Sequence, residues 1–158
     1  MTRYQASIKT SFAHLGISVI DDRLAAIDFI TSNNEIDPEN ALAANVCQQI
    51  RQYLKDPGAN SHFDIACSLS GTAFQQRVWN ELRKIPAGKP VTYGELANRL
   101  GTSARAVGNA CRKNPIPLVI PCHRVVSATG IGGYAGDTGG DLLKIKSWLL
   151  QHEASTHH

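Results

Sequence analysis

The sequence has no run of about 18 apolar residues, so no membrane-spanning helix is expected. Its first residues, Met1-Thr2-Arg3-Tyr4-Gln5, lack the apolar core of a secretion signal. The four cysteines, Cys47, Cys67, Cys111 and Cys122, form no CxxC pair, and none has the Cys/His spacing of a zinc site. No strand–GxxxxGK(S/T)–helix arrangement is present to cradle a nucleotide phosphate. These absences predict a cytoplasmic protein with reduced thiols, no membrane partner, no metal and no cofactor.

The chain has 158 residues, 42% of them hydrophobic and 18% charged, which suits one domain or two small ones around a real core. The net charge of +3 hides an asymmetry. Residues 1–70 carry five Lys and Arg against eight Asp and Glu, whereas residues 71–158 carry eleven against five. A basic second half suggests a polyanionic partner, with a merely solvated basic face as the alternative.

Residues 11–20 and 24–30 read as two strands around Asp21-Asp22. A helix is expected next, capped by Asp37 with Pro38 at its first position, and with Leu42, Val46, Ile50 and Leu54 as its apolar stripe. It ends at Asp56-Pro57-Gly58. Residues 62–67 alternate weakly and suggest another strand. Cys47, His14 and His62 read as structural. Residues 68–72 read as the hinge between an N-terminal domain, 1–70, and a C-terminal domain, 71–158.

Thr72 and Gln75 have capping-box spacing before a helix over 73–84, whose inner side carries Phe74, Val78 and Leu82 with Trp79 beside them. Thr92 and Glu95 repeat that spacing before a helix over 93–100. After Gly101-Thr102, Ser103 caps a third helix over 104–113. Two short helices around a glycine-containing turn fit a helix-turn-helix. Ala104, Val107, Gly108 and Cys111 are expected to face inward. Arg105, Asn109 and Arg112 share the outer face, where they offer donors to phosphates or base edges. Small neighbours such as Ala106 allow close approach to a surface.

The apolar run 118–120 reads as a buried strand ended by Pro121. Cys122, His123 and Arg124 follow, placing a thiol beside potential cations, the setting that favours thiolate. A buried structural cysteine is the competing reading. Six glycines between Gly130 and Gly140 then allow close backbone approach to a ligand, with Tyr134 among them as a stacking surface. Asp141 is placed to cap a last helix over 142–152, with Leu142, Ile145 and Leu149 inward and Glu153 at its end.

In order along 71–153, Gly71-Thr72-Ala73-Phe74-Gln75, Val91-Thr92-Tyr93-Gly94-Glu95-Leu96-Ala97, Ala104-Arg105-Ala106-Val107-Gly108, Asn114-Pro115, Ile120-Pro121-Cys122-His123-Arg124-Val125-Val126, Gly133-Tyr134 and Trp148-Leu149-Leu150 up to Glu153 resemble the O6-alkylguanine-DNA alkyltransferase family. The resemblance implies a mixed α/β fold in two parts: a small ribonuclease H-like N-terminal domain of strands and a helix, and a mainly helical, winged-helix-like C-terminal domain. It implies single-turnover repair of O6-alkylguanine, and of O4-alkylthymine, in double-stranded DNA. Cys122 would take the alkyl group irreversibly. His123 would draw off its proton through a water molecule, Glu153 would orient His123, and Asn114 would hold the surrounding segments. Arg105 would fill the gap left by the flipped nucleotide and Tyr93 would help turn it out. Arg112, Asn109 and Ala106 would meet the minor groove. Val125, Tyr134, Ala135 and Gly136 would hold the base.

Two departures accompany the resemblance. Ala135 replaces a small hydroxyl residue common after the loop tyrosine, and Asp137-Thr138-Gly139-Gly140 lengthen that loop. The rival functions are a non-enzymatic lesion binder, a helix-turn-helix regulator and a cysteine hydrolase. The acceptor cysteine disfavours the first, Pro121-Cys122-His123 the second, and the lack of an oxyanion-hole motif the third. A monomer is expected.

Overall fold

The computed structural model describes residues 3–31, 34–132 and 141–154. The N-terminal part is a three-stranded antiparallel sheet, β1 (Ala6–Lys9), β2 (His14–Ile20) and β3 (Arg23–Ile30), in that order. The β2–β3 turn is Asp21-Asp22, with both residues left-handed at φ 50° and 59°, as a two-residue hairpin with primed turn geometry requires. β1 was not anticipated. Four residues are too few to show alternation, and Ala6, Ser7 and Ile8 are all buried.

Helix α1 (Ala41–Lys55) packs on this sheet. It starts later than Asp37-Pro38 suggests, because the Asn40 side chain accepts from the Ala43 N–H and so makes the cap. Its buried stripe is Ala43, Val46, Cys47, Ile50 and Tyr53, one position round from the expected one, leaving Leu42 and Leu54 half-buried. The strand expected over 62–67 reduces to one parallel bridge between Leu24 and Cys67, with the rest irregular. Arg83 holds this segment instead, donating to the carbonyls of Phe63 and Ile65.

The second part begins with α2 (Ala73–Leu82), whose Thr72–Gln75 capping box is complete in both directions. Next come β4 (Val91–Thr92), α3 (Tyr93–Leu100) and α4 (Ala104–Arg112). Thr92 and Ser103 cap α3 and α4 by accepting from the Glu95 and Ala106 N–H groups. Gly101 ends α3 in the left-handed region at φ 66°, which lets α4 leave at a sharp angle. Inside α4 the buried residues are Val107, Ala110 and Cys111, while Ala104 is exposed. Ala110 takes the inner place expected for Ala104 because Trp79 lies against it and donates from Nε1 to its carbonyl at 2.9 Å.

A 3-10 turn (Cys122–Arg124), strand β5 (Val125–Val126) and α5 (Asp141–Ala154) complete the described chain. β4 and β5 pair in parallel, Val91 with Val125 and Thr92 with Val126. One continuous apolar core runs from Ala6 in the sheet to Leu149 in α5. Among the described residues, no helix is long and apolar enough to cross a membrane.

Candidate active site

The segment before Cys122 is a buried turn, not the strand its apolar residues suggest. Leu118 sits at φ 75°, a backbone state that costs a branched residue about 1–2 kcal/mol. Asn114 holds the turn from both sides. Its Nδ2 donates to Ile120 O at 2.8 Å, and its Oδ1 accepts from the Ile116 N–H at 2.9 Å. Cys122 therefore begins a 3-10 turn rather than ending a strand. The β4–β5 pairing sets Tyr93, the first residue of α3, alongside this turn.

Glu153 organises the site from the last turn of α5. Its carboxylate is buried, and the described residues His123, Tyr53 and Arg124 donate four hydrogen bonds to it. His123 Nε2 donates to Oε2 at 2.7 Å, and the Tyr53 hydroxyl donates to the same oxygen at 2.5 Å. Arg124 donates to both oxygens, from Nε to Oε1 and from Nη2 to Oε2, each at 3.0 Å. Burial alone would raise the Glu153 carboxyl, but His123 and the Arg124 guanidinium hold it well below the usual carboxylate range. Since Glu153 is ionised, the His123 proton sits on Nε2, and Nδ1 is the basic nitrogen. Among the described residues, Nδ1 has no hydrogen-bond partner. Burial lowers the His123 pKa, with Glu153 opposing it only in part.

Arg124 is not a free cation beside the thiol. Its remaining donor, Nη1, bonds to Ile85 O at 2.7 Å and Ser61 O at 3.1 Å. The positive charge that supports Cys122 comes from Lys146 of α5. Lys146 is fully buried, donates from Nζ to Val125 O at 2.7 Å, and lies 5.7 Å from the centre of the Tyr93 ring. Burial pushes the Lys146 amine down to about 8, with Cys122 and Cys111 pulling the other way. Burial raises the Cys122 thiol, while a hydrogen bond from Asn114 and the charge of Lys146 favour its thiolate. Tyr93 is pushed up to about 12 by burial and the nearby Cys111 and Cys122, so it remains a neutral donor.

Both backbone polar groups of Val125 are engaged, its N–H by Cys122 O and its carbonyl by Lys146. Gly132, at φ 76°, brings its backbone against Tyr93, and a side chain there would meet the ring at 3.0 Å. Tyr134, Ala135 and Gly136, with the longer loop, lie outside the described residues.

Arg105, Asn109 and Arg112 are exposed together on α4, with Ala106 half-buried between them. Arg77 ties α2 to the end of α3 through Leu100 O, which fixes the helix pair on the body. Among the described residues, no cluster of His, Cys, Asp and Glu could hold a metal ion.

The structure thus brings Cys122, His123, Glu153, Asn114, Tyr93 and Val125 together, while Arg105, Asn109 and Arg112 line the exposed face of α4. Sequence reasoning missed Tyr53, Lys146 and the ion-pair role of Arg124. Tyr53 was findable as the residue three after Ile50 on the true buried stripe. Lys146 lies one residue after Ile145 and gives no apolar signal at all.

Residues 73–155 match the family model described as 6-O-methylguanine DNA methyltransferase, DNA binding domain. The chain is 35% identical to a methylated-DNA–protein-cysteine methyltransferase of Metallosphaera sedula, over 98% of this chain and 95% of that one. A methyltransferase of the same name from Methanosarcina acetivorans is 33% identical over 96% and 99%. The crystal structure of Mycobacterium tuberculosis O6-methylguanine methyltransferase superimposes with a TM-score of 0.80 at 33% identity, covering 96% of this chain and 93% of that chain. A crystal structure of Mycobacterium tuberculosis OGT in complex with DNA gives 0.78 at 32% identity, covering 95% and 92%. With the relatives matching nearly end to end, the chain belongs to the O6-methylguanine-DNA methyltransferase family.

Proposed function

We propose that this chain repairs O6-alkylguanine in double-stranded DNA by moving the alkyl group, once and irreversibly, onto Cys122. The observation that carries the reading is the buried Cys122–His123–Glu153 arrangement, with His123 held at Nε2 by Glu153 and its Nδ1 left basic. The Cys122 proton passes to Nδ1 through a water molecule. The thiolate sulfur forms a bond to the alkyl carbon, the carbon–O6 bond breaks, and the departing guanine takes up a proton. Lys146 and Asn114 stabilise the thiolate while it exists, and Tyr93 donates to the base or its phosphate. The target base must leave the stack to reach a thiol buried this deeply, and Arg105 fills the gap it leaves. Ala106, Asn109 and Arg112 follow the minor groove, where readout is nearly blind to sequence, as a repair function demands.

In this reading residues 71–158 bind DNA and accept the alkyl group, while residues 1–70 buttress them. Monomeric action in the cytoplasm, with O4-alkylthymine as a second substrate, belongs to the same reading. The test is mass spectrometry after incubation with a duplex carrying O6-methylguanine. One methyl group on Cys122 is expected. Cys122→Ser should transfer nothing yet keep its affinity for the duplex, since affinity comes from phosphate contacts and not from the thiol. Methyl transfer by that variant would refute the assignment.

A further inference from the structure

We propose that Tyr53, on α1 of the N-terminal half, is a positioning residue for alkyl transfer, acting through Glu153 on the proton-accepting His123. The proposal rests on the Cys122–His123–Glu153 reading above. Tyr53 is fully buried and its hydroxyl donates to Glu153 Oε2 at 2.5 Å across 100 residues of sequence. The same oxygen receives the His123 Nε2 proton, so the two donors compete for one charge. A donor to Oε2 spreads that charge and weakens the pull of Glu153 on the His123 proton. The proton then stays on Nε2, and Nδ1 is not made too basic to remain neutral at working pH.

Packing alone would be met by a phenylalanine; the tyrosine adds a buried hydroxyl whose partner is the Glu153 carboxylate. The Tyr53 ring already packs against Phe63 at 5.6 Å and His152 at 5.7 Å. Its hydroxyl could have been omitted without loss of that packing. The charged and titratable groups facing the pair are Glu153, Lys146 and His152 from α5, and Arg124 from the 3-10 turn. Arg124 and Lys146 are already committed to Glu153 and Val125, so Tyr53 is the neutral donor that adjusts the carboxylate without adding charge.

The experiment compares wild type with Tyr53→Phe, which removes the hydroxyl and keeps the ring. The rate of Cys122 alkylation by the free base O6-benzylguanine is followed against pH, and the His123 Nε2 proton is observed by NMR. On losing its competitor, Glu153 should pull harder on His123. The Nε2 proton should move downfield, and the low-pH limb of the rate should move up by about half a pH unit or more, lowering the rate by about threefold at pH values below that limb. A second variant carrying difluorotyrosine at position 53, a stronger donor of nearly the same shape, should shift both readouts the other way. A lower melting temperature with both readouts unmoved would show that Tyr53 only packs, and the proposal would be wrong. Shifts of the same sign in both variants would also overturn it. Absence of alkylation in wild type would instead remove the underlying reading, and the NMR comparison would still show whether Tyr53 acts on His123.

Discussion

At the scale of single residues, the Cys122 thiolate is favoured by a lysine that no motif announces. Cys122 and His123 were legible as adjacent reactive side chains after Pro121, and Glu153 through the family resemblance. Lys146 and Tyr53 were not, since a buried polar residue is recognisable only once its partner is in place: Val125 O for one, Glu153 for the other. The physics of Lys146 gives a test. Its pKa falls from the usual 10.5 to about 8, so the unfolded chain holds the proton more tightly. Burial of Lys146 therefore costs stability in full below pH 8, and the cost disappears as pH rises toward 10.5. That penalty is about 3 kcal/mol. The charged hydrogen bond to Val125 O returns about 1.5–3 kcal/mol. Lys146→Met should consequently leave stability at pH 7 nearly unchanged, as followed by thermal melting. Alkyl transfer should fall about tenfold or more, because the thiolate loses about 1.4 kcal/mol or more of electrostatic support. A large loss of stability with normal transfer would place Lys146 in the fold alone.

At the scale of elements, the chain divides into parts governed by local rules and parts governed by packing. The caps at Thr72, Thr92 and Ser103 were legible because each depends on residues three apart. Asp37-Pro38 satisfied the same local rule and lost to Asn40, whose side chain reaches the Ala43 N–H. Within the turn over 116–120, residues 118–120 read as a strand in the sequence because apolar residues buried on all sides look alike in either state. The Asn114 side chain, bonded to Ile116 and Ile120, and the Ile120 N–H donating to Ile116 O select the turn. The α3–α4 pair has the clearest functional consequence. Arg105 is exposed on α4, and the proposed function gives it the DNA step and not the chemistry. Arg105→Ala should slow repair of an O6-methylguanine duplex by tenfold or more, on the order of the few kcal/mol needed to unstack a base. Its reaction with free O6-benzylguanine should stay within about twofold of wild type, since a free base needs no flipping. Equal losses on the two substrates would place Arg105 in the chemistry or the fold.

At the scale of the whole molecule, an acidic N-terminal half and a basic C-terminal half share one core and one buried network. The charge division was visible in the sequence, whereas the joint through Tyr53, Glu153 and Arg124 required the fold. That joint bears on what happens after reaction. A thioether on Cys122 has no good leaving group, and Cys111, the thiol nearest in electrostatic terms, is held protonated by burial and by Cys122 itself. Nothing in the described site can return the alkyl group, so product should plateau at one equivalent of active protein. Cys122 is only 6% exposed, and an added methyl must displace its neighbours. Overpacking of this kind costs about 1–3 kcal/mol. In a chain of this size each kcal/mol lowers the melting temperature by about 2–4 °C. Because His123 follows Cys122 directly and shares Glu153 with Tyr53, the displacement strains both halves together. The methylated protein should therefore melt in one transition about 2–12 °C below the free protein. Titration against excess O6-methylguanine duplex, followed by melting of the product, measures both quantities. Product well beyond one equivalent would make Cys122 a turnover nucleophile, and an unchanged melting temperature would mean that the site already has room for the methyl group.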